Sequence, residues 1–118
     1  MRVLLVDDEE ELVSTLSERL ALRGIDSDWA TSGEEGLKLA LERRYDWVVL
    51  DLKMPGIGGM ETLRHLKEQR PDTKIIVLTG HSSADDLEEG LQHGARHYLL
   101  KPIDVDDLLA KMQEDGQG

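Results

Sequence analysis

An α/β fold on a single parallel sheet is predicted, and three features of the sequence predict it. Short apolar runs alternate with longer amphipathic stretches along all 118 residues, the signature of strands and helices in strict succession. Three of the runs are almost continuously apolar, as strands covered on both faces are. Two of them end in carboxylates: Val3-Leu4-Leu5-Val6 runs into Asp7-Asp8, and Trp47-Val48-Val49-Leu50 into Asp51. If these are neighbouring parallel strands, three acidic groups converge at their carboxyl ends. Like charges that close need a counter-charge, most simply a divalent cation.

The elements follow in order. Strands are expected at Arg2–Val6, Ile25–Trp29, Asp46–Leu50, Lys74–Leu78 and Arg96–Leu100. Helices are expected near Glu9–Arg23, Gly33–Arg43, Gly59–Gln69, Ala84–His93 and Val105–Gln113. In the first helix Leu12, Val13, Leu16 and Leu20 form an apolar stripe at three-to-four spacing. Gly24 and Gly94 are placed as left-handed caps, and Arg70-Pro71-Asp72 stops the third helix. The second strand, Ile25-Asp26-Ser27-Asp28-Trp29, is polar enough for a sheet edge. That fits a doubly wound (βα)5 chain with strand order 2-1-3-4-5, strands 1 and 3 adjacent in the middle. Gly36 inside the second helix costs about 1 kcal/mol relative to alanine. Gly58-Gly59 before the third helix predicts a less rigid Ile57–Met60 segment. Neither glycine is expected to touch a reaction centre. Residues 1–118 read as one domain, with 114–118 a frayed tail or a truncation point.

Composition narrows the chemistry. There is no cysteine, which excludes disulfides and thiolate–metal sites. The apolar runs are too short for a membrane span, and a cytoplasmic protein is expected. Asp and Glu number 25 against 14 Lys and Arg, a formal charge of −11. Direct nucleic-acid binding needs the opposite sign and is not expected. Isolated acids such as Asp26, Glu42, Glu68, Glu88 and Asp115 read as solvated faces.

Ligands of open α/β sheets bind beyond the carboxyl ends of the strands. There strand 1 delivers Asp7 and Asp8, strand 3 delivers Asp51, strand 4 delivers Thr79-Gly80, and strand 5 delivers Lys101-Pro102. Carboxylate oxygens suit a hard cation such as Mg²⁺. A carboxylate can also be a nucleophile that forms an aspartyl phosphate. Lys101 and Thr79 would then meet the phosphoryl oxygens.

Four segments now carry a resemblance: Val6-Asp7-Asp8-Glu9, Leu50-Asp51-Leu52-Lys53-Met54-Pro55-Gly56, Leu78-Thr79-Gly80 and Tyr98-Leu99-Leu100-Lys101-Pro102. Together, in this order, they resemble the receiver domain of bacterial two-component response regulators over essentially the full length. The resemblance implies a flavodoxin-like fold and a phosphorylation-dependent switch, not a turnover enzyme. It implies that Asp51 is the phosphoacceptor, charged by a sensor histidine kinase or phosphotransfer domain and slowly self-dephosphorylating. It implies Mg²⁺, with Mn²⁺ as an alternative, held by Asp8, Asp51 and the backbone carbonyl of Lys53, and by Asp7 through water. Thr79 and Lys101 would contact the phosphoryl group, and Lys101-Pro102 would be a cis peptide. Thr79 and Tyr98 would form the switch, and Lys53 and His81 would tune phosphate lifetime. The output face would be helix 4, strand 5 and helix 5, including Leu87, Gln92, Tyr98 and Asp107. A phosphorylation-dependent homodimer is a further expectation. The kinase would dock around Leu12, Leu16, Pro102 and Ile103.

Each residue also has a plainer reading. Asp7-Asp8-Glu9-Glu10 suits a helix N-terminus, which explains Glu9 and Glu10 but not Asp51. Lys101 alone is an ordinary surface lysine, and its place before Pro102 reverses that reading. Tyr98 on a strand is usually core. His65, His93 and His97 lack metal-ligand spacing and read as surface or packing residues. Three other functions compete. A phosphatase of the haloacid dehalogenase type needs its nucleophile after strand 1 and a second Asp two residues on, where this chain has Glu9. A receiver-like module that is never phosphorylated would not need the complete set of site residues. A flavodoxin-type cofactor binder would need a phosphate loop after strand 1.

Overall fold

The computed structural model describes residues 1–54, 56–80, 88 and 90–116. The strands are β1 (Arg2–Val6), β2 (Asp26–Ala30), β3 (Trp47–Asp51), β4 (Lys74–Thr79) and β5 (His97–Leu100). The helices are α1 (Glu10–Leu22), α2 (Gly33–Glu42), α3 (Gly58–Gln69) and α5 (Val105–Gly116). Residues 88 and 90–92 are helical and are labelled α4; the rest of the expected Ala84–His93 helix up to 89 lies outside the described residues. Every strand pairing is parallel, and the sheet order is β2-β1-β3-β4-β5, as expected.

Side-chain alternation divides the interior into two layers. Val3, Leu5, Trp47 and Val49 face one core with Leu16 and Leu20 of α1 and Leu108 of α5. Leu4, Val6, Val48 and Leu50 face the other with Leu63 and Leu66 of α3. β1, β3 and β4 are buried almost throughout, so their sequences lose the alternation of a one-sided sheet. β2 sits at the edge with an intermediate, polar burial pattern.

Boundaries differ from expectation where side chains intervene. α1 begins at Glu10 because Glu9 is an extended N-cap, its N–H bound 2.9 Å from Asp7 Oδ1. β3 and β4 each run one residue further, to Asp51 and Thr79, since Leu52 N still donates to Leu78 O and Lys101 N to Thr79 O. α3 begins at Gly58 rather than Gly59, and α5 continues past Gln113 to Gly116. Gly24 and Gly94 do take positive φ, and Lys101-Pro102 is cis.

Gly36 is a correction. A Cβ there would lie 2.8 Å from Val6 Cγ2, so the residue that weakens α2 as a helix is what lets α2 lie against β1.

Candidate functional site

The sheet register assembles the site. Val6 stands beside Leu50, so the next residues, Asp7 and Asp51, emerge side by side at the carboxyl edge. Leu5, Val49 and Leu99 all pack toward the α1 and α5 layer; two residues on, Asp7, Asp51 and Lys101 share that parity. Thr79 pairs with Leu100 and is fully buried. Asp7 is 0% exposed and Asp51 2%, while Asp8 is exposed. One carboxylate oxygen from each of Asp7, Asp8 and Asp51 lies within 4.8 Å of the others. A cavity of about 560 Å³ opens over them, lined by Asp8, Glu9, Asp51, Lys53, Gly80 and Lys101.

Lys101 is the hub. Its Nζ lies 2.8 Å from Asp7 Oδ2, 2.9 Å from Glu9 Oε1 and 3.2 Å from Asp51 Oδ2. Burial opposes the charge on Lys101, but bonds to Asp7 and Glu9 and the field of Asp51 outweigh it and push its pKa up. Burial likewise pushes the Asp7 carboxyl up, helped by the Asp51 charge and resisted by Lys101 and the Glu9 N–H. Asp51 Oδ1 accepts the Lys53 N–H at 3.0 Å, which fixes the carboxylate and leaves Oδ2 toward the cavity side with Lys101.

The donor set fits a hard divalent cation. It consists of oxygens and carries excess negative charge, with three carboxylates gathered around the Lys101 ammonium. The sequence-predicted residues Asp7, Asp8, Asp51 and Lys101 therefore converge, Thr79 ends the neighbouring strand β4, and the Lys53 backbone stands beside Asp51. His81 lies outside the described residues. Tyr98 is 42% exposed and is not core. Leu16 is a correction: at 2% exposure it is core and cannot form a docking surface, whereas Pro102 is exposed. His97 stacks on Trp47 with ring centroids 6.1 Å apart, and His65 lies beside Glu61 on α3, packing and surface roles as expected.

Gly59 differs from expectation, because it lies against the backbone of the site. A Cβ on it would overlap the Asp51 carbonyl oxygen and the Leu52 Cα, so α3 rests directly on the backbone that carries Asp51. The signal available was the pair Gly58-Gly59 itself. By sequence Glu9 is a helix-start charge, yet in the fold it holds Lys101 across 92 positions of sequence.

A family model described as the response regulator receiver domain matches residues 3–113. The chain belongs to that family. It is 37% identical over 112 residues to the response regulator ArlR of Staphylococcus aureus, covering 95% of this chain and 51% of that protein. The chain thus spans about half the length of the curated relatives it matches. A CheY-like receiver domain protein from Methanospirillum hungatei superposes with a TM-score of 0.91 at 31% identity, over 97% of this chain and 91% of the other. A response regulator from Burkholderia pseudomallei superposes at 0.88 with 30% identity, over 98% and 71% of the two chains. That structure holds a phosphorylated aspartic acid, a calcium ion and citrate. As a receiver domain this chain is a signalling domain and a phosphorelay switch.

Proposed function

We propose that Asp51 is the phosphoacceptor, and that its phosphorylation by a sensor histidine kinase or phosphotransfer domain in the cytoplasm sets the state of the switch. The observation that carries this reading is a buried carboxylate, Asp51, beside two further acids and one ammonium at the edge of the sheet. An Asp51 oxygen attacks phosphorus; the new O–P bond forms as the P–N bond to the donor imidazole breaks, and that nitrogen leaves with the electron pair. Asp7, Asp8, Asp51 and the Lys53 carbonyl would hold Mg²⁺, or Mn²⁺ in its place. The bound cation would supply charge neutralisation at the phosphoryl oxygens.

Lys101 balances a second share of that charge, and Thr79 offers a hydroxyl from the end of β4. Water attack on the same phosphorus would break the O–P bond and return the carboxylate slowly, with exposed Lys53 at the cavity mouth tuning its access. Output would pass through α4, β5 and α5, where Gln92, Tyr98 and Asp107 are exposed, and a homodimer could form there. Leu87 of that face lies outside the described residues.

The test is incubation with a small acyl phosphate followed by intact-mass measurement. A single phosphoryl adduct is expected with Mg²⁺, little without it, and none in Asp51→Asn. An adduct on Asp51→Asn equal to that on the native chain contradicts the assignment.

A further inference from the structure

Lys101 has three carboxylate partners, and two of them, Asp7 and Asp51, belong to the proposed cation site. The third, Glu9, does not. Its side chain is 63% exposed, against 16% for Lys101 and 0–3% for the two aspartates. The ammonium therefore stands between a buried acidic pair and one acid at the surface. Glu9 is not loosely placed: Asp7 Oδ1 binds its N–H at 2.9 Å, so one aspartate fixes the turn from which the Glu9 side chain reaches out.

The carboxylates that pair with Lys101 through Oδ2 are also the ones a cation would use, and their Oδ1 atoms already accept the Lys53 and Glu9 N–H groups. A divalent cation bound by these carboxylates draws on the same charge that holds the ammonium, so Asp7 and Asp51 then hold Lys101 less tightly. Without another anion at hand, Lys101 would either compete for the aspartates or swing into water, away from the phosphoryl group it must later meet. Glu9 removes that conflict by taking the ammonium at 2.9 Å while leaving it beside Asp51.

We infer that Glu9 is a positioning residue for Lys101: it gives the ammonium a place to stay when Asp7 and Asp51 turn to a cation. This rests on the proposed cation site. Glu9 touches neither the phosphoryl group nor the cation and acts only through Lys101.

A double-mutant cycle in Mg²⁺ affinity tests it, followed through backbone amide shifts in the full chain. Glu9→Gln is made in the native background and in Lys101→Met, which keeps the apolar stem and removes the charge. Loss of one negative charge at a distance weakens Mg²⁺ in both backgrounds and cancels in the ratio. The contact role adds a further loss in the native background only, of roughly threefold to tenfold given a charged hydrogen bond discounted for exposure. Equal losses in the two backgrounds would overturn the inference and leave the cation site standing. No Mg²⁺ binding by the native chain would overturn the cation site and this inference together. Exposed Glu9 is a safe position for substitution, and the amide spectrum reports folding in the same titration.

Discussion

Asp7 is wholly buried, and burial pushes its carboxyl above the ordinary value of 3.8. A raised acid binds its proton more tightly in the folded than in the unfolded state. Its ionisation therefore costs stability as pH rises from 3.8 through the raised value, and the full cost remains above it. Without divalent cations, the stability of Asp7→Asn relative to the native chain should climb across that window and then level off. Urea midpoints taken in chelator at several pH values check this; a difference that does not change with pH contradicts the account of Asp7. Gly59 acts at the same scale through space rather than charge. A methyl at Gly59 meets the backbone of Asp51 and Leu52, which cannot move aside without shifting Asp51, the proposed phosphoacceptor. Gly59→Ala should lower stability by about 1–3 kcal/mol and slow phosphorylation, measured by urea unfolding and by adduct formation with an acyl phosphate.

Among the elements, α2 shows why local propensity misleads. Helix propensity alone makes Gly36→Ala stabilising by about 1 kcal/mol. Packing against Val6 reverses the sign, and unfolding should show Gly36→Ala less stable than the native chain; a more stable variant would contradict the α2–β1 contact. The strands were legible because burial on both faces leaves apolar runs that nothing else in so short a chain explains. Their carboxyl ends were legible for the same reason, since an acid or lysine directly after such a run has one place to go. What sequence left hidden depends on distance in space. The α1 stripe showed a core face but not that Leu16 lies at its centre. Neither the reach of Glu9 to Lys101 nor the seat of Gly59 on β3 leaves a periodic mark. Both are contacts between residues that no local pattern links.

Across the whole molecule basic and acidic groups mix at the end where the strands start, Asp26, Asp46 and Asp72 among them, and acids gather at the other. Arg2, Lys74 and Arg96 lie at or beside strand starts, and Arg43, Arg44 and Arg70 at helix ends. Asp7, Asp8, Glu9, Glu34 and Asp51 occupy the other end. A net charge of −11 arranged in this way focuses an attractive field for cations on the carboxyl edge of the sheet. The same edge carries Lys101 and Thr79, while Tyr98 and Leu100 of β5 stay exposed at 42% and 46%, next to the site yet facing outward. The domain thus joins a buried acidic cluster, the proposed reaction centre, to an open surface through a single strand. Everything in that account depends on where the phosphoryl group lands. Peptide mapping after trapping the acyl phosphate with borohydride decides it: the modification is expected on Asp51, whereas modification of Asp7 would contradict the switch and favour a hydrolase with its nucleophile after β1.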